Sequence, residues 1–108
     1  DEGSLTGAFT ENTVFEDGDF RGDYFKGRLR EVVARIDRLR PLLAESAPDM
    51  ATAALKFCLS HPAVSTVIPG MRKPPHVEAN VRASDLPPFS SDLLEKLKAH
   101  SWPRNFYR

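Results

Sequence analysis

Arg72 and Lys73 are the residues whose setting most suggests chemistry. They stand in "STVIPGMRKPPHVEAN", residues 65–80, where a β-branched run ends at Pro69-Gly70 and a helical pattern opens at Pro74 and Pro75. A strand end that leads into a helix start sets free backbone N–H groups and the positive end of a helix dipole beside two cations, which suits a phosphate. Strand-to-helix loops are also where α/β sheets and barrels bind ligands. From spacing alone, an ordinary solvated basic loop is the simpler reading, because surface Arg/Lys pairs are common.

No other residues assemble a catalytic set. His61, His76 and His100 lack the short paired spacing of zinc sites and have only Cys58 as a thiol companion. Cys58 falls in an apolar helical run, so a core position is expected for it. A single cysteine allows no intramolecular disulfide and fits a reducing compartment. Ser4, in "GSLTG", lacks the nucleophile-elbow pattern, and no Ser/His/Asp or Cys/His arrangement has local support. Arg21-Gly22-Asp23 is a tripeptide that cell-surface receptors read, but without a secretory pattern chance explains it. Trp102, Phe106 and Tyr107 suit either stacking on a ligand or packing of a tail on the core, the commoner case.

The elements that position these residues follow from periodicity. Residues 1–22 hold four glycines among polar residues and scattered Leu5, Phe9, Val14, Phe15 and Phe20, and read as a long loop. From Asp23 onward Leu29, Val32, Val33, Ile36, Leu39, Leu42 and Leu43 mark one face of an amphipathic helix, with Pro41 as a kink or break. A second helix follows Pro48, with Asp49 as its N-cap and Met50, Ala53, Ala54, Phe57 and Cys58 along one face, and stops before Pro62. Val64 to Ile68 is the one good strand. A third helix begins near Pro74 or Pro75 and runs to about Ala83. In the fourth, Ser90 caps, Phe89 staples to Leu94, and Leu93, Leu94 and Leu97 face inward.

With 108 residues the chain has room for one small core. Its 15 basic and 15 acidic residues cancel, so no global field draws it to nucleic acid or a membrane. The first twenty residues nevertheless carry acids and no base, while residues 21–40 are rich in arginine. That basic helix face could meet an acidic partner or RNA. A solvated face offset by Asp23, Glu31 and Asp37 is the simpler reading. No apolar run approaches the roughly 18 residues of a membrane span, and a soluble, cytoplasmic protein is expected. The lone strand has no partner, and unpaired buried backbone groups cost about 1–3 kcal/mol each. The chain therefore reads as part of a sheet protein whose other strands lie elsewhere.

The stretch "ATAALKFCLSHPAVSTVIPGMRKPPHVEANVRASDLPP" resembles the last β/α unit of the aldo-keto reductase superfamily, in which an "ALxxxLxxPxVxxxIPG" run leads to an "…EN" helix. Upstream, "GSLTG" resembles the family's G-x-L-T-G after the seventh barrel strand, and residues 19–45 resemble the loop and helix that follow. The resemblance implies a mainly α chain with one barrel-type β-strand, the C-terminal fragment of a (β/α)8 TIM barrel. In that frame 1–22 is the loop after strand seven, 23–61 helices, 63–69 strand eight, 74–83 helix eight and 90–100 the C-terminal helix. It implies a nicotinamide dinucleotide, usually NADPH, used to reduce aldehydes or ketones. The family's loop for the adenosine 2′-phosphate and adenine falls on Gly70, Met71, Arg72 and His76, with Asn80 in place of the asparagine that faces adenine. His76 stands where many members carry Arg or Gln, and Ala79 where a glutamate is usual.

The family's catalytic Asp, Tyr, Lys and His lie on the first half of a barrel of roughly 250 residues. The expectation is thus part of an NADP(H) site without a catalytic centre, holding the cofactor only weakly when alone. Its partners would be the dinucleotide and either the missing part of the barrel or a second copy of the chain. The alternative is a non-catalytic helical module that associates through its strand edge and apolar helix faces.

Overall fold

Burial of small side chains on one helix organises the chain. The structure, a computed structural model, describes residues 2–103. A 3-10 turn at Ser4–Thr6 precedes α1 (Arg21–Tyr24), α2 (Leu29–Leu43), α3 (Met50–Leu59), α4 (Pro74–Asp85) and α5 (Ser91–Lys98). Against α3 pack the 3-10 turn, α2 and α4.

The helical stripe of α2 buries Val32, Ile36 and Leu43, with Leu29 and Leu39 packed beside them. On its wet side Arg35 donates to Glu31 at 2.8 and 3.0 Å, and Arg40 to Asp37 at 2.8 Å, pairs worth a few tenths of a kcal/mol. Pro41 stays inside the helix, close enough to its end that only the carbonyl of Asp37 loses its helical donor. The chain does not run into α2 from Asp23 as one helix. α1 ends at Tyr24, and Gly27 then takes a left-handed φ of 70°, which a glycine adopts without steric penalty.

Residues 1–22, expected as a loop, carry an aromatic core of their own. Phe9 and Phe15 each lie with ring centroids 5.7 Å from Phe25, which is 1% exposed. Such pairs contribute about 0.5–1.5 kcal/mol beyond area burial. The Arg21 guanidinium sits 5.3 Å from the Phe15 centroid and donates Nε to Asp19 at 2.9 Å. These side-chain hydrogen bonds from Arg21 hold the Asp19 carboxyl below the usual range. Within Arg21-Gly22-Asp23, Arg21 is thus engaged by Asp19 and the Phe9 and Phe15 rings, while Gly22 and Asp23 are exposed.

In α3, Asp49 Oδ1 accepts from the Thr52 N–H at 2.7 Å, an N-cap worth about 1 kcal/mol. Met50 and Ala53 of the expected face are buried, but Thr52 and Lys56 are inside with them, whereas Cys58 is exposed and Phe57 half exposed. Phe57 lies one turn beyond Ala53 on the same face and lines an open groove with Met50, Ala53 and Leu97, while Cys58, one residue further round the helix, is turned to solvent. Lys56 is 5% exposed; its Nζ donates to the Ser46 carbonyl at 2.7 Å and lies 4.5 Å over the Phe89 ring. It joins α3 to the turn after α2 and to the entry of α5.

The expected strand at 63–69 is not formed. The amides of residues 65–68 find no hydrogen-bond acceptor among the described residues, and the ladder a strand requires has no second member there. Ile68 is left 88% exposed. At the C-terminal end, Ser90 Oγ accepts from the Leu93 N–H at 3.2 Å, and Leu93, Leu94, Leu97 and Trp102 pack against the core. Arg35 lies 4.1 Å over the Trp102 ring. Phe106 and Tyr107 lie outside the described residues.

Burial pushes the Lys56 ammonium below its ordinary lysine pKa of 10.5. The folded chain then binds fewer protons at this site than the unfolded chain, so the residue's contribution improves as pH rises through the folded pKa toward 10.5. The stability of the wild type relative to Lys56→Met should therefore increase from neutral pH to about pH 10, as read from urea midpoints. A difference that stays flat or falls would contradict the burial argument.

Candidate cofactor-phosphate site

Gly70 to Lys73 cross from the unpaired 65–68 segment to α4 in an exposed loop. Lys73 is the extended N-cap residue of α4, without a side-chain cap, and Pro74 and Pro75 form the first turn with pre-set φ. This start corrects one expectation. Prolines have no N–H, and the next amides, His76 and Val77, bond to the Lys73 carbonyl at 2.9 and 3.3 Å. The helix start therefore offers no free backbone donors, and only its dipole remains.

The donors lie one step earlier. The amides of Met71, Arg72 and Lys73 make no hydrogen bond among the described residues, and Arg72 and Lys73 have no carboxylate within 4.0 Å there. Glu78, the acid on α4 close to the loop in sequence, is already paired with Arg82 at 3.6 Å. The loop thus presents two cations and three backbone N–H groups with no competing anion. Such a donor set fits a phosphate dianion, which needs donors and tolerates no nearby carboxylate.

Asn80 gives this loop its shape. Its Nδ2 donates to the Gly70 carbonyl at 3.1 Å, closing a ten-residue span across α4. His76 is one turn earlier on the same side of α4 as Asn80, and of the five expected residues the hydrogen bond joins Gly70 and Asn80. The Asn80–Gly70 contact has no signal in the sequence, because it needs the return of the loop onto α4. Met71 is 48% exposed and leaves an apolar side chain at the rim.

Chemically this set consists of a guanidinium, an ammonium, an imidazole, a carboxamide and backbone amides. It holds no nucleophile beside a base, and no cluster of His, Cys, Asp or Glu able to hold a metal occurs among the described residues. No helix among them is long and apolar enough to cross a membrane.

Residues 1–101 match the aldo/keto reductase family, and the chain belongs to it. It is 26% identical over 103 residues to a probable voltage-gated potassium channel subunit beta of Oryza sativa subsp. japonica, covering 90% of this chain and 31% of that protein. The Arabidopsis thaliana protein of the same description is 26% identical over 102 residues, covering 89% and 31%. A pyridoxal 4-dehydrogenase of Microbacterium luteolum is 39% identical over 51 residues, 47% of this chain and 15% of that enzyme. The chain spans about a third of the length of the first two relatives. Membership of the family accords with a piece of a TIM barrel, of which the described residues display the helices.

Removal of the Asn80 amide should release the loop. In Asn80→Ala, the backbone order parameter at Arg72 should fall below ~0.6, the flexible range, while residues of α3 stay near ~0.85. An unchanged value at Arg72 would mean that the prolines alone fix the loop.

Proposed function

We propose that residues 70–80 supply the part of an NADP(H) site that holds the adenosine 2′-phosphate and adenine, within an NADPH-dependent carbonyl reductase of the aldo/keto reductase family. The observation that carries this reading is the pair Arg72 and Lys73, with no carboxylate partner among the described residues and next to three unbonded amides. Arg72 is the favoured partner of the 2′-phosphate, because its planar fork makes paired charge-assisted hydrogen bonds. His76 and Asn80 border the adenine side, and Gly70 and Met71 form the floor and rim of the loop.

The bound cofactor supplies a hydride for carbonyl reduction. Residues 70–80 orient its adenosine end, while proton transfer and substrate positioning belong to groups outside this loop. The exposure of the loop limits what it does alone: a surface ion pair contributes only about 0–1 kcal/mol until a covering surface excludes water. Weak binding by the isolated chain is therefore part of the proposal.

In a complete reductase containing this segment, Arg72→Ala should weaken NADPH by roughly ten- to a hundredfold, since a charged hydrogen bond contributes about 1.5–3 kcal/mol. NADH, which lacks the 2′-phosphate, should change much less. Equal losses for both cofactors overturn the assignment, and a selective effect of Lys73→Ala in its place moves it to the neighbouring residue.

A second reading, association through apolar surface, is favoured by one observation. Phe57, Ile68, Met71, Val77 and Val81 are 50%, 88%, 48%, 39% and 60% exposed on α3, α4 and the segment between them. Burying such surface is worth about 25 cal/mol per Å2, which favours a second copy or the rest of a barrel as its cover. Sedimentation of the chain over a wide concentration range should give a rising mean mass. A monomer at every concentration counts against self-association.

A further inference from the structure

We propose that the open groove between α2, α3 and the end of α5 binds a medium-chain fatty acid, with the alkyl chain on the groove floor and the carboxylate on Arg38. The groove has a volume of about 580 Å3, within the range of small-molecule sites, about 300–1,000 Å3. Its floor is apolar: Val32, Ile36, Met50, Ala53, Phe57 and Leu97 are among the residues that line it.

Charge decides what such a floor accepts. Arg35, Arg38, Lys98 and His100 also line the groove, whereas no Asp or Glu does so among the described residues. Helical spacing produces this border, because Arg35 and Arg38 flank the apolar stripe of Val32, Ile36 and Leu39 along α2. A purely apolar ligand would leave the cations without a partner, and a cationic one would be repelled. An alkyl chain with a negative head matches both parts.

Arg38 is the cation open to the head group. Arg35 donates to Glu31 at 2.8 and 3.0 Å and covers the Trp102 ring, and Lys98 is paired with Glu95 at 2.6 Å. Asp37, the acid next to Arg38 in sequence, is taken by Arg40 at 2.8 Å. The Arg38 side chain is exposed and makes no ion pair or hydrogen bond among the described residues. Its planar guanidinium can donate two parallel N–H groups to one carboxylate, which holds the head at the rim while the chain leaves water. No residue of the 70–80 loop lines the groove, so failure of this proposal would leave the cofactor reading standing.

The test uses the whole 108-residue chain, in which Trp102 is the one tryptophan and itself lines the groove, so its fluorescence reports on occupancy. Titrated below their micelle-forming concentrations, octanoate, decanoate and dodecanoate should each give a saturable change, with affinity rising roughly two- to fourfold per added methylene. Decyltrimethylammonium, of similar chain length and opposite charge, should bind more weakly than decanoate. Arg38→Gln should weaken decanoate roughly three- to fivefold, whereas Lys26→Gln, away from the groove, should not. No saturable change, affinity independent of chain length, or equal binding of the cationic amphiphile overturns the proposal, as does unchanged decanoate binding by Arg38→Gln. Binding that weakens as the chain concentration rises assigns the groove to a second copy and overturns it as well.

Discussion

Close approach to α3 is the constraint on which the rest of the chain depends. Its sequence begins Met-Ala-Thr-Ala-Ala, and these small side chains let the 3-10 turn, α2 and α4 come near its axis. Ala53 and Thr52 are 1% and 4% exposed as a result. A larger residue at 53 would overpack this junction, at a typical cost of about 1–3 kcal/mol. That cover ends before the last turn of α3, where Phe57, one turn beyond Ala53, is half exposed and Cys58 faces solvent. The same close approach explains why the candidate site is placed at all. α4 is seated on α3, and the loop at 70–73 is tied to α4 by Asn80.

The start of α4 determines which donors flank that loop. The two prolines at the start of α4 stiffen the turn but remove its first two N–H groups, so the donors that remain belong to the loop and to the side chains of Arg72 and Lys73. A site built this way is selective through charge and position and less through helix-end hydrogen bonding. Because both cations face water, the interaction strengthens only when another surface lowers the local dielectric. Recognition and assembly are therefore coupled in the proposed function.

Helix caps and turns were legible in the sequence because their determinants are local. Asp49 and Ser90 cap α3 and α5 with their own side chains, and Pro74 opens α4. The face of α3 was legible only in part, at Met50 and Ala53. Apolar periodicity pointed to Phe57 and Cys58, whereas Lys56 is buried because a backbone carbonyl and an aromatic ring from two other segments meet it there. Phe9 and Phe15 looked scattered for a similar reason, since only the return of the chain brings Phe25 against them. At the candidate site the resemblance points to Gly70, Met71, Arg72, His76 and Asn80, whereas the Asn80–Gly70 bond and the loss of helix-start donors emerge only from the fold.

The contrast between α3 and residues 64–68 shows why this chain is helical although its family is built on a barrel. A helix satisfies its backbone groups within itself, so α2 to α5 form wherever capping and one packed face suffice. A strand satisfies none of its groups alone. Val64 to Ile68 keep the β-branched composition suited to a position buried on both faces. With no ladder among the described residues, their local preference and their tertiary setting disagree, and Ile68 ends 88% exposed. The candidate phosphate loop begins at the end of this segment. The unpaired segment and the uncovered loop are thus two aspects of one deficit: pairing the strand would fix the first residue of the loop from one side, as Asn80 already fixes it from the other.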